Sequence, residues 1–163
     1  MLLRLSGPRT NGRAEMTETA VPNPSPRLTH HWSGEFRPAE ISAPEARNTV
    51  RRLLNRWGWE GDLDAALLIT TELMANAVRH AGAENGGSPP LVLRVDVEGE
   101  HLLLEVSDCA PYFTPAPRTD EEAESGRGLL LIKCLGATLS WAPQPSGAGK
   151  RVTVRLAGRA KRG

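Results

Sequence analysis

Two segments that alternate in phase and meet at a tight turn constrain this chain more than any other feature of its sequence. LVLRVDVEG sets Leu91, Leu93, Val95 and Val97 on one face and Arg94, Asp96 and Glu98 on the other. GEHLLLEVSD then continues the alternation with Leu102, Leu104 and Val106. A period of two is that of a β-strand, and the EGEH turn between the segments reads as the bend of a hairpin. One side of that hairpin is continuously apolar, so something must cover it.

Helical segments upstream supply the cover. DLDAALLITTELMANAVRHAG has Leu63, Leu67, Thr70, Met74, Ala77 and Ala81 at spacings of three and four, with Gly82 as a stop. ISAPEARNTVRRLLNRWGW reads as an earlier helix, with Ser42 and Glu45 spaced as a capping box, Pro44 in the first turn, and Gly58 or Gly61 at its end. LTHHWSGEF before it reads as a first strand. Later, GLLLIKCLG reads as a short helix ended by Gly136, ATLSWAP as a strand, QPSGAGK as a turn, and RVTVRLAG as a last strand with Val152, Val154 and Leu156 inward. Helices in this order with hairpin-like connections predict an α+β class, with helices on one face of a mostly antiparallel sheet.

A length of 163 residues suits one domain with its own core, and a formal net charge of +1 gives no reason to expect general nucleic-acid or membrane-surface binding. Residues 1–27 are polar and Pro-rich and are expected to be disordered; the domain is expected over 28–157, with a basic tail over 158–163. The opening MLLRLSGPRT is too short an apolar run for a signal-peptide core, and no stretch is apolar enough to span a bilayer. The two cysteines, Cys109 and Cys134, read as free thiols, and the expected location is the cytoplasm. CAPYFTPAPRTDEEAESGRG is long, Pro-rich and acidic, and reads as a functional loop, a lid.

Three groups of polar residues carry chemical possibilities. In ELMANAVRH, residues four apart drift by only about 40° around a helix, so Glu72, Asn76 and His80 form one polar stripe. Glu72 is either a solvated helix residue or a functional carboxylate. His80, with Arg79, either complements the helix dipole or serves a ligand. Asn76 is a poor mid-helix residue, which points to a specific bonding task. Asp108 falls on the core-facing side of its strand, either as a strand-end turn residue or as a buried acceptor for a ligand's donor. Gly126 and Gly128 open a helix, where bare N–H groups can meet an anion such as phosphate, although a flexible loop exit has the same composition. Neither a P-loop lysine motif nor a Rossmann glycine fingerprint is present. An amide suited to Mg²⁺, a carboxylate that accepts an amine and a phosphate-holding loop together are what a nucleotide site needs.

ELMANAVRH, VSDCAP and ESGRGLLLIKCLG, in this order and separation, resemble the N-box and two glycine boxes of the GHKL ATPases. The resemblance runs from about Ile41 to Leu156 and is nearest to short bacterial ATP-binding proteins similar to anti-sigma-factor serine/threonine kinases. It implies a Bergerat-type two-layer α/β sandwich that binds ATP and Mg²⁺ beneath a lid. By that pattern Asn76 holds Mg²⁺, Glu72 is the catalytic base, Asp108 accepts the adenine amine, and the segment Gly126, Arg127, Gly128 and Leu129 cradles phosphates, with Arg79 and His80 as helpers. Two positions depart from the family. Ala110 stands two residues after Asp108, where glycine is usual, and GKRV, with Lys150 and Arg151, stands where threonines usually open the last strand.

The function implied is that of a protein serine/threonine kinase that phosphorylates an antagonist, an anti-anti-sigma protein, and sequesters a sigma factor by partner switching. A homodimer is implied as well. A different class, a nucleotide-gated protein-binding module without catalysis, is the alternative. No phosphoaccepting histidine helix or membrane sensor is visible in the sequence, which argues against a complete histidine kinase.

Overall fold

The computed structural model describes residues 28–81, 87–110, 128 and 131–158. Five strands form one sheet: β1 (Leu28–Phe36), β2 (Leu91–Glu98), β3 (His101–Asp108), β4 (Thr138–Pro143) and β5 (Lys150–Leu156). Two long helices, α1 (Ser42–Trp57) and α2 (Leu63–His80), precede β2. The spatial order is β1-β2-β3-β5-β4, and every neighbouring pair is antiparallel. The α+β expectation, with helices on a mostly antiparallel sheet, therefore holds.

Alternation in the sequence becomes a two-faced sheet. Leu91, Leu93, Val95, Leu102, Leu104, Val106 and Val154 are buried beneath the helices, where Ala46, Val50 and Leu54 of α1 and Leu67, Ile69 and Met74 of α2 complete the core. Full burial of one such side chain contributes about 1.5–3 kcal/mol, so this shared layer is the main force holding the helices to the sheet. Asp96 points to the opposite face, yet it too is buried, because His31 and Arg94 both close on its carboxylate.

Helix ends differ from the expected pattern at one place. Ser42 does not cap α1: Ile41 occupies the cap position without a side-chain hydrogen bond, and the Ser42 hydroxyl donates instead to the Arg37 carbonyl. The chain enters α1 through a turn in which the Ser42 N–H donates to the Ala39 carbonyl, so the helix starts before serine can take the extended cap conformation. At its other end Gly58 adopts the left-handed conformation (φ 62°), and its N–H and that of Trp59 donate to the last turn of α1. α2 is capped by Asp62, whose carboxylate accepts the Ala65 N–H at 2.9 Å. Within it, Thr70 and Thr71 donate to the carbonyls one turn back, which satisfies their hydroxyls inside the packed layer.

Residues 131–134 are helical, and Gly136 (φ 72°) turns the chain out of them toward β4. The expected disordered segment 1–27, the stop at Gly82, most of the expected lid and most of the basic tail lie outside the described residues. Among those described, no helix is long and apolar enough to cross a membrane. Cys109 and Cys134 are both free thiols.

Candidate functional site

The C-terminal half of α2 lies over the ends of β3 and β5, and a narrow cleft lies between them. Its walls are Leu73, Asn76, Ala77 and His80 from the helix and Val106, Asp108, Lys150 and Val152 from the strands. Asn76 and His80 of the polar stripe thus meet the strand-end aspartate, some 30 residues away in sequence, whereas Glu72 does not line this cleft.

Helical spacing accounts for the α2 wall. Leu73 and Ala77 pack inward and hold the helix on the sheet, which leaves Asn76 and His80 at the cleft's rim. The Asn76 side-chain oxygen accepts from Arg79 Nη1 at 3.2 Å. His80 is exposed overall, and its pKa is lowered from the ordinary 6.5, first by partial burial and then by the positive charge of Lys150; the Asp108 carboxylate opposes this and Arg79 reinforces it. The imidazole is therefore neutral near pH 7.

Glu72, one turn before Asn76, meets Gly128. A β-carbon built on Gly128 would fall 2.1 Å from Glu72 Oε2, so glycine lets the backbone there come up against the carboxylate. The second glycine of the GRG motif is thereby brought to the polar stripe. Gly126, Arg127 and Leu129 lie outside the described residues.

Asp108 is where sequence reasoning fell short. It is buried, as expected for the core-facing side of β3, but its carboxylate already has protein partners. Lys150 Nζ donates to Oδ1 at 2.8 Å, and the Ala110 N–H donates to the same oxygen at 2.8 Å. The ammonium comes from the antiparallel register, which sets Asp108 directly opposite Lys150. Lys150 is 2% exposed and Asp108 4%. Gln144 supports the arrangement by donating from Nε2 to the Asp108 carbonyl at 3.0 Å. Sequence reading singled out Lys150 only as a departure from the family; the available signal was that β3 ends and β5 begins with charged residues of opposite sign on the inward face.

Mg²⁺ requires oxygen ligands and keeps several waters, taking one or two protein groups together with nucleotide phosphates. Among the described residues no group of three His, Cys, Asp or Glu side chains could hold a metal. Among the described lining residues Asn76 alone offers a side-chain amide carbonyl at the rim, so these residues fit a cation that arrives with phosphates and do not fit a resident ion. Arg79, which is exposed and holds that carbonyl through a long hydrogen bond, is free to turn aside.

A helix-covered antiparallel sheet, a polar stripe beside a strand-end aspartate and a glycine at the stripe's carboxylate define the class: a two-layer α+β domain with a polar-rimmed cleft between helix and sheet. The chain belongs to the histidine kinase-like ATPase domain family, whose model matches residues 36–156. Among solved structures it is similar to the histidine kinase domain of the blue-light activated histidine kinase from Erythrobacter litoralis, with 18% identity and a TM-score of 0.43. That match covers 72% of this chain, which spans 60% of the length of the histidine kinase domain. None of the curated proteins matches it in sequence.

Proposed function

We propose that the chain is an ATP-binding regulatory protein serine/threonine kinase of the anti-sigma-factor type, which phosphorylates an antagonist protein and sequesters a sigma factor. The observation that carries this reading is the contact of Glu72 with Gly128. It sets a carboxylate beside a glycine-box backbone, one helical turn from the Asn76 amide. Membership of an ATPase-domain family supports nucleotide binding.

Phosphoryl transfer asks a protein mainly for positioning and charge neutralisation. In this chain Asn76 would hold Mg²⁺ that arrives with ATP, and the ion would neutralise phosphate charge. Glu72 would take the proton of an attacking hydroxyl, a contribution of about 10²–10⁴ in rate. Asp108 and the apolar side chains of Leu73, Val106 and Val152 would hold the base. His80, neutral at the rim, would present a hydrogen bond without a charge. The test is incubation of the full chain with Mg-ATP carrying a labelled γ-phosphate and its cognate antagonist. A labelled serine or threonine on the antagonist is the expected result; bound nucleotide without transfer refutes the enzymatic half.

One observation favours a second reading, a nucleotide-gated binding module without catalysis: the Asp108 carboxylate already holds an internal ammonium. Under that reading partner affinity changes with nucleotide, and Glu72→Ala leaves the regulation intact. Under the kinase reading Glu72→Ala retains ATP and loses transfer.

A further inference from the structure

The buried Asp108–Lys150 pair calls for an explanation beyond stability. A buried ion pair is commonly no more stabilising than well-packed apolar residues of the same volume, because desolvation cancels most of the attraction. Here the geometry is nonetheless held closely. Gly149 takes a φ of 120° with its Cα pressed on the Asp108 backbone, where a β-carbon would stand 2.0 Å from the Asp108 carbonyl oxygen. Gln144 ties that same carbonyl to the turn from β4, and its own N–H donates to the Gly149 carbonyl at 2.8 Å. The ammonium is thereby set beside the carboxylate by the backbone of β3 and β5.

Two consequences follow for a ligand in the cleft. Both donors to the Asp108 carboxylate among the described residues, the Lys150 ammonium and the Ala110 N–H, converge on Oδ1, so a ligand amine would be accepted by Oδ2. An ammonium has three donors, of which Oδ1 takes one. Asp108 and Lys150 both line the cleft, each almost wholly buried, so an acceptor and a charged donor lie side by side in its wall.

Adenine carries the complementary pair, its 6-amino group as donor and ring N1 as acceptor next to it. We infer that Lys150 is a base-reading residue, donating to adenine N1 while Asp108 accepts the 6-amino group. This rests on the nucleotide-binding reading above. A 6-oxopurine presents the reverse order, a carbonyl acceptor beside an N1–H donor, and meets like against like at both points.

The test compares the binding of three nucleotides to the full chain in Mg²⁺ by calorimetry: ATP, 1-deaza-ATP, which keeps the amine but replaces N1 by C–H, and ITP. A hydrogen bond from a charged donor predicts 1-deaza-ATP about 10- to 100-fold weaker than ATP, with ITP weaker still. In Lys150→Met the preference for ATP over 1-deaza-ATP should collapse to about one, and ATP itself should weaken. Because that variant leaves Asp108 unpaired, the comparison in the unmodified protein stands as a decisive measurement without it. Equal affinity for ATP and 1-deaza-ATP overturns the inference alone and leaves the proposed function standing. Tighter ATP binding by Lys150→Met also overturns it, since the ammonium would then be obstructing the carboxylate. Binding of ITP in preference to ATP does the same. If the unmodified protein binds no purine nucleotide, the nucleotide-binding reading falls and the inference with it.

Discussion

The backbone of Gly128 lies so close to the carboxylate of Glu72 that a β-carbon at position 128 would come within 2.1 Å of Oε2. The atom it would strike is the tip of a flexible side chain, so Gly128→Ala should fold with a stability change of about 0.5 kcal/mol or less, as for substitutions with no other mechanism of damage. The displaced carboxylate should nevertheless cost about 10²-fold or more in phosphoryl transfer, the lower end of what a general base supplies. Thermal melts and a transfer assay on the same preparation check both halves. Transfer within a few-fold of the unmodified protein would show that the place of Glu72 does not matter.

Gly149→Ala is the opposite case, although the substitution is the same. Its β-carbon would stand 2.0 Å from the Asp108 carbonyl oxygen, a backbone atom, and the φ of 120° is one that alanine rarely adopts. Neither problem is relieved by a side-chain rotation, so a loss of about 1–3 kcal/mol or more is expected. Urea unfolding should report a lower midpoint, and amide exchange should quicken at the β3–β5 ends before the rest of the sheet.

Removing one partner of the buried ion pair should be far worse than removing both. Lys150→Met leaves the Asp108 carboxylate buried without its ammonium, at a cost of about 3–5 kcal/mol, whereas Asp108→Leu combined with Lys150→Met should fall within about 1 kcal/mol of the original or exceed it. Urea unfolding of the two single variants and the double variant measures the coupling. Additive losses would mean that the pair is not closed in solution.

Stability should fall on acidification through His80. Partial burial lowers its folded-state pKa, with Lys150 and Arg79 adding to the effect and Asp108 opposing it. Below about 6.5, the unfolded value, the unfolded chain takes up the proton first, so the contribution is full above that pH and is lost as pH drops through and below it. Unfolding free energies at about pH 7.5 and about pH 5.5 should differ less in His80→Asn than in the unmodified protein. An unchanged slope would assign the pH dependence to other groups.

Mg²⁺ alone should leave the melting temperature unchanged, because Asn76 offers a single carbonyl and no carboxylate cluster accompanies it among the described residues. Mg²⁺ with ATP should raise it, by about 2.7 kcal/mol of stabilisation at a ligand concentration one hundred times the Kd. Asn76→Ala should lessen that gain. Stabilisation by Mg²⁺ in the absence of nucleotide would point to a resident metal site instead.

Much of the fold was legible before any coordinates. β1 runs over the segment expected to open the domain, the hairpin of β2 and β3 turns at Gly99, and α1 ends at Gly58. These are local outcomes of alternation, helical spacing and glycine at a positive φ. The Ser42 capping box did not form, because the preceding turn already consumes the serine N–H and brings its hydroxyl to Arg37, a matter of the path from β1 into α1. Asp96 was expected on the face opposite the apolar one and is there, but His31 on the neighbouring strand and Arg94 close over it.

The site divides along the same line. Residues that share one element could be placed from their spacing: Glu72, Asn76 and His80 follow from the 3.6-residue turn, and the inward face of Asp108 follows from the period of a strand. No periodicity within β3 or within β5 says that Asp108 meets Lys150, or within α2 that Glu72 meets Gly128. Those contacts are set by the register between strands 42 residues apart at this point and by the seat of α2 across their ends. Local sequence determines which way each side chain points from its own backbone; only the packing of separate elements decides which charge waits opposite, because that depends on strand pairing and burial across the whole sheet.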